Sequence, residues 1–315
     1  MVPDYRYFTI FNLNFERITT MKKQIITIAA ALTVGLIAGC GSSSSTPAAS
    51  ATLSGKVADG YLVGATVFLD KNGNYQLDAS EPTTTTDANG AYTLNVDPAD
   101  VGKYPIVAMA IQGQTIDTDT NQTVSNSYIL SMPATAMSGT VSSNFISPMS
   151  TLIREKMDAN PGMTLNDAMT QLRNQMNLSS GMNVMADYVT GSQSGTNAAQ
   201  YQTMHTTAQQ MAGVMAGQAA LVMNGSAVNQ SRYRNMMGTI NSNMPAITAN
   251  VTNGQGMNST FMSGMMSQMK TQIGAMPISG GFVNYSGMFR NMTSHSSFWS
   301  NIGTPMTPMS GGMMR

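Results

Sequence analysis

One cysteine, two histidines and one tryptophan are spread over 315 residues, and only 10% of the chain is charged, with a formal net charge of zero. Zinc clusters, haem attachment through C-x-x-C-H and disulfide frameworks all need more Cys or His than this. Without a net positive charge or a basic patch, no nucleic-acid partner is expected. No Asp or Glu follows Asp187, so the last 128 residues offer no side-chain carboxylate for acid–base catalysis or for a hard cation. There is no G-x-S-x-G elbow, and Gly280-Gly281 lacks the lysine of a phosphate loop. His205, beside Met204, Thr206 and Thr207, and His295 have no acid nearby in sequence to orient them. The sequence therefore predicts a structural or binding protein rather than an enzyme.

A targeting signal is present instead. Met21-Lys22-Lys23 is a basic n-region, and Ile25 to Ile37 is an apolar run broken only by Thr27, Thr33 and Gly35. Leu36-Ile37-Ala38-Gly39-Cys40 closes it with small residues before the chain's single Cys. The run is shorter than the roughly 20 residues a membrane-spanning helix needs. These residues resemble the lipobox of bacterial lipoproteins. The resemblance implies that residues 21–39 are a removable signal peptide, that Cys40 is lipidated and anchors the protein to a membrane, and, with Gly41 rather than Asp next, that this is the outer membrane. Residues 40–50 then form the lipidated Cys and a Ser-rich tether. The alternative is an ordinary signal peptide with a chance Cys at its end. Residues 1–20 fit no part of a signal and are read as an over-extended start.

The expected fold class is α+β: an N-terminal antiparallel β-sandwich followed by a Met-rich α-helical domain. Over 51–145, runs rich in Val, Ile, Thr, Tyr and Phe alternate with Gly, Asn and Asp turns. Strands are expected at Thr52–Val57, Thr66–Leu69, Ala91–Val96, Ile106–Ile111 and Ser127–Ser131, and Asp87-Ala88-Asn89-Gly90 reads as a tight turn. Over 146–276 the period becomes helical. Pro148 suits a first turn, Met149, Leu152, Ile153 and Met157 share a face, and Thr164 is placed to cap a helix bearing Leu165, Met169, Leu172 and Met176. Further helices are expected over Asn197–Met223, Asn229–Met244 and Ser259–Ala275, with Met211, Met215 and Leu221 inward. The Gly, Ser and Met-rich residues 277–315 are expected to be a flexible tail. Nine acids against three lysines in 51–140 contrast with the acid-free, mildly basic last stretch. That asymmetry suits docking of the two parts on each other or on an anionic surface, or simply two solvated faces.

One stretch carries a metal pattern. In Asp70-Lys71-Asn72-Gly73-Asn74-Tyr75-Gln76-Leu77-Asp78-Ala79-Ser80-Glu81, oxygen-bearing side chains fall at positions 1, 3, 5, 9 and 12. Asp70, Asn72 and Asn74 would offer side-chain oxygens to calcium, Gln76 its carbonyl, Asp78 a direct or water-mediated contact and Glu81 a bidentate carboxylate. Tyr75 stands where the sharp turn normally has Gly, and the flanks are not helical, so this is not an EF-hand. The competing reading is a polar turn whose acids face water. Gly55 to Asp70, the Asn-rich loop, Glu81-Pro82 and Thr86 to Tyr92 together resemble carboxypeptidase regulatory-like and serine-aspartate-repeat B-type domains. The resemblance covers 51–145 and implies a prealbumin-like sandwich used as a surface spacer, some members holding calcium in this loop, with no peptidase activity. Phe145 to Leu152 looks like the segment joining such a sandwich to a helical part in bacterial surface lipoproteins, whose partners would be another envelope protein or a surface polymer.

The chain also holds 31 Met. Met262, Met265, Met266 and Met269 recur at helical spacing, and Met306, Met309, Met313 and Met314 cluster near the end. Thioethers bind Cu(I) or Ag(I), which with Met204, His205 and His295 makes soft-metal binding the alternative function. The plainer reading is packing: residues 223–315 contain 16 Met and no Leu, so Met fills the role Leu usually has.

Overall fold

The computed structural model describes residues 50–137 and 144–278. These belong to one compact unit that starts at Ala48. The protein is mixed α+β: among the described residues about 43% are helical and 21% are in strands, the strands forming several small sheets. The signal and tether through residue 49, Cys40, the tail beyond Ile278, His295 and the Met306 to Met314 cluster lie outside the described residues. None of the described helices is long and apolar enough to cross a membrane.

Strands come first. β1 (Ala51–Val57) lies between β5 (Ala91–Val96) and β10 (Asn144–Ile146) in one sheet, and β4 (Thr83–Thr85), β3 (Thr66–Leu69), β6 (Ile106–Ala110) and β9 (Tyr128–Met132) make a second in that order. A third, small sheet joins β2 (Leu62–Val63), β7 (Ile116–Asp117) and β8 (Gln122–Thr123). The five expected strands are present within a residue or so of their predicted ends. The short β2, β4, β7, β8 and β10 were not legible, because two or three residues carry no measurable alternation. Leu94 and Val96 face inward while Thr93 and Asn95 face out, the period-two pattern of a half-buried strand. All five residues of β6 and of β9 are buried. Both of their faces are therefore covered, and on β9 helices do the covering.

One expectation needs correction. The sheets are not wholly antiparallel: β1 pairs antiparallel with β5 but parallel with β10, in register Gly55 to Asn144 and Val57 to Ile146. Parallel pairing needs a long crossover, and here the whole β region intervenes. The expected tight turn over Asp87 to Gly90 forms, with Gly90 N donating to the Asp87 carbonyl at 3.0 Å, and it joins β4 and β5, which belong to different sheets. Its Gly90 takes φ +68°, and a Cβ there would meet the Val57 carbonyl oxygen at 3.0 Å, so glycine is required on both counts.

The helices are α1 (Pro148–Ala159), α2 (Leu165–Gln175), α3 (Tyr188–Gly191), α4 (Ala198–Gly217), α5 (Ala219–Val222), α6 (Gln230–Thr252) and α7 (Thr260–Gly274). The capping box at Thr164 and Asp167 forms as expected, and Ser147 with Ser150 makes another at α1. α1 follows β10 directly and packs on β9. There the Ser150 hydroxyl donates to the Ser131 carbonyl at 2.6 Å, and Thr151 Oγ1 accepts from the Ser131 N–H at 2.8 Å, so the buried backbone of Ser131 is satisfied on both sides while its own hydroxyl has no partner. A hairpin of β11 (Met223–Asn224) and β12 (Ala227–Val228) separates α5 from α6.

α6 runs to Thr252, eight residues beyond its expected end, through Pro245. Proline deprives the carbonyl four residues earlier of its N–H partner. That carbonyl belongs to Asn241, and Gln175 Nε2 donates to it at 3.2 Å, while Gln175 Oε1 accepts from buried Lys156 at 2.9 Å. A tertiary hydrogen bond thus supplies what the sequence removed. Burial lowers the Lys156 pKa to about 7.

Candidate functional site

The loop of residues 70–81 leaves β3 and returns toward β4. Asp70 is fully buried at 0% exposure, and its Oδ1 accepts the Asn74 N–H at 3.0 Å while Oδ2 accepts the Tyr75 N–H at 3.2 Å. Asn72 Oδ1 accepts from Asn74 N at 3.1 Å, and Asn74 Oδ1 from Gln76 N at 2.7 Å. Three successive side-chain oxygens therefore wind the main chain into a tight spiral, the backbone alternative that Asp and Asn offer. The amides of Asn72 and Asn74 both donate to Asp78 Oδ2, at 2.7 and 2.9 Å, which brings three of the six expected ligand residues together. Glu81 folds back to close the loop, accepting from Lys71 N at 2.6 Å and Asp78 N at 3.0 Å. Its carboxyl pKa is raised, first by burial and further by Asp70 and Asp78.

Tyr75 resolves the apparent misfit at the sixth position. It adopts φ +65°, the left-handed conformation that glycine would supply, despite carrying a large side chain. Its ring is fully buried, 4.7 Å from the Tyr233 ring of α6 and 4.2 Å from the Arg154 guanidinium of α1, and its hydroxyl donates to Glu155 Oε1. Packing against two helices offsets the backbone cost, on the order of 1–3 kcal/mol. The loop's folded turn is thus held from outside itself.

The same helices supply its counter-charge. Arg154, 2% exposed, donates from Nη2 to Asp70 Oδ2 at 3.0 Å, and its Nε lies 3.5 Å from Asp158 Oδ2. Gln230 Nε2, at the start of α6, donates to the Gly73 carbonyl at 2.6 Å. Among the described residues Asp70 is the one loop acid in an ion pair, since Lys71 turns away to Asp100 at 2.7 Å. Burial raises the Glu155 pKa to about 7, with Asp158 adding to it. Arg154, Glu155 and Tyr233 were not foreseen as loop partners. They lie 80 or more residues from Tyr75 or Asp70, a separation no local pattern reports.

The donor set is entirely oxygen, which suits a hard cation such as calcium, and the spiral turn it requires is formed. Among the described residues, however, no three His, Cys, Asp or Glu are disposed as a metal site, so the oxygens of Asp70, Asp78 and Glu81 do not already converge. Occupancy would require the Asp78 and Glu81 carboxylates to turn from their present donors.

A second acidic cluster lies where β2, β7 and α4 meet. Asp59, 6% exposed, accepts from the Tyr128 hydroxyl at 2.7 Å, while its Oδ1 has no hydrogen-bond partner. Burial, then Asp117, pushes its pKa up to about 7. Asp119 Oδ2 lies 2.7 Å from His205 Nε2 and accepts from Gln209 at 2.6 Å, and His205 holds its carboxyl below the usual range. His205 therefore does have an acid partner, 86 residues away in sequence. Its ring stacks 5.6 Å from that of Tyr188, whose hydroxyl donates to the Ala58 carbonyl at 2.8 Å.

Many of the described methionines go to the core. Met204, Met262 and Met269 are fully buried, Met265 nearly so, and Met266 is half-buried against it. Such burial is what packing requires and leaves the thioethers of α7 facing apolar neighbours. No family model, no curated protein and no solved structure matches the chain.

Proposed function

We propose that the chain is a lipid-anchored envelope protein with a structural or binding role, tethered through Cys40 in the outer membrane. Its β region, read as a prealbumin-like sandwich, would be stiffened by calcium in the 70–81 loop. The membrane part rests on the signal-like sequence from Met21 to Cys40, and the partner would be another envelope protein or a surface polymer. The observation that carries the calcium reading is the left-handed turn at Tyr75 within a spiral of Asp70, Asn72 and Asn74 oxygens. Asp70, Asn72, Asn74, the Gln76 carbonyl, Asp78 and Glu81 would hold the ion. Calcium would supply two positive charges to a loop with three formal negative ones and so fix the segment between β3 and β4.

Because the loop packs on α1 and α6, stiffening it would also stiffen the joint between strands and helices. An extracellular-type site with Kd on the order of 0.1–1 mM would add roughly 1.4–2.7 kcal/mol at about 10 mM calcium. The expected result is a Tm several degrees higher in calcium than in chelator, and loss of that rise in Asp70→Ala/Glu81→Ala. Identical melting of the unmutated protein in both buffers rejects calcium. Cys40→Ala is expected to move the protein from the membrane fraction to the soluble one, and an unchanged distribution rejects the anchor.

A further inference from the structure

The carboxylate in the loop's first ligand position is also the partner of a buried guanidinium, and that double use has a consequence for the ion. Asp70 lies at 0% exposure, so its charge needs a permanent partner whenever calcium is absent. Arg154 meets that need from α1 at 3.0 Å and rests on the Tyr75 ring, while Asp158 is its only other ion-pair partner among the described residues. A divalent cation taken up by Asp70 would share one carboxylate with a guanidinium that cannot lose its proton. Like charges brought to one buried anion repel, and poor solvent screening there makes the repulsion strong.

We propose that Arg154 is a built-in counter-cation of the 70–81 loop that opposes calcium, keeping the loop folded without the ion at the expense of affinity for it. This rests on the calcium reading above, and it makes the site a composite one, set by a residue of the helical part. Calcium and the Arg154–Asp70 contact are then negatively coupled: filling the loop loosens the grip of α1 on it, and tightening that grip expels the ion.

Calcium titration calorimetry on the whole chain, paired with melting in chelator, tests it. Arg154→Gln keeps an amide donor for Asp70 but removes the charge. It is expected to bind calcium on the order of tenfold tighter than the unmutated protein. Its Tm in chelator should be lower and its calcium-induced rise larger. Arg154→Lys keeps the charge and should stay within about threefold of the unmutated affinity. If Arg154→Gln does not fold without calcium, Asp158→Asn, which strips the guanidinium of its other partner, should weaken calcium binding by about threefold. Equal or weaker binding by Arg154→Gln, equal tightening by Arg154→Lys, or unaltered binding by Asp158→Asn overturns the antagonism while leaving the calcium site standing. Absence of binding in every form overturns the calcium reading itself.

Discussion

The 70–81 loop and the Asp59 cluster pose the same electrostatic problem and solve it differently. In both, acids of the β region are buried where helices cover the strands. Around Asp70 the carboxylate is paired with Arg154 at 3.0 Å. Around Asp59 no ion pair forms among the described residues, and burial, then Asp117, pushes its pKa up to about 7, toward the neutral form. A buried carboxylate can be paired or shifted toward neutrality, and this molecule uses each option at a separate contact between strands and helices.

Breaking the charged pair should have the largest effect. Asp70→Ala removes the nearer of the two carboxylates on buried Arg154, leaving only Asp158 at 3.5 Å, and should cost about 3 kcal/mol, measurable by denaturant unfolding in chelator. Asp59→Asn should act oppositely and through pH. The folded-state pKa of Asp59 exceeds the usual 3.8, so the proton is retained in the folded state while the unfolded chain has released it. Stability is therefore highest below about pH 4 from this group and is lost as pH rises to about 7, by roughly 2–4 kcal/mol. In Asp59→Asn most of that decline disappears, and Glu155, shifted in the same direction, leaves a remainder of the same sign. An unchanged slope between pH 4 and 7 would remove the distinction between the two contacts.

Smaller changes sharpen it. Tyr75→Phe removes the hydroxyl that bonds Glu155 but keeps the ring, and should cost about 1–2 kcal/mol while preserving the turn. His205→Gln retains a donor for Asp119 and should cost about 1 kcal/mol or less, since that carboxylate also accepts from Gln209. Thermal melts of the two variants under one buffer rank the loop contact above the His205 contact.

The strands over Thr66–Leu69 and Ala91–Val96 and the Thr164 cap were legible because each is a local rule of period or capping. The loop spacing was legible for the same reason. Tyr75 read as a fault in it, because the packing on Tyr233 and Arg154 that holds its left-handed backbone is remote in sequence. Asn229–Met244 stopped short for a related cause. Proline reads as a terminator unless its orphaned carbonyl finds another donor, and Gln175 lies 66 residues from Asn241.

The sequence by itself determined the composition of each part: acids early, methionine in place of leucine late, and an oxygen-rich loop between two strands. Those are properties of single residues and their near neighbours. Which acids find a cation and which only a hydroxyl was decided only when the chain folded. The guanidinium that reaches Asp70 and the hydroxyl that reaches Asp59 come from positions 84 and 69 residues away. Charge inside a protein depends on what lies within a few ångströms, and distance along the chain does not report it.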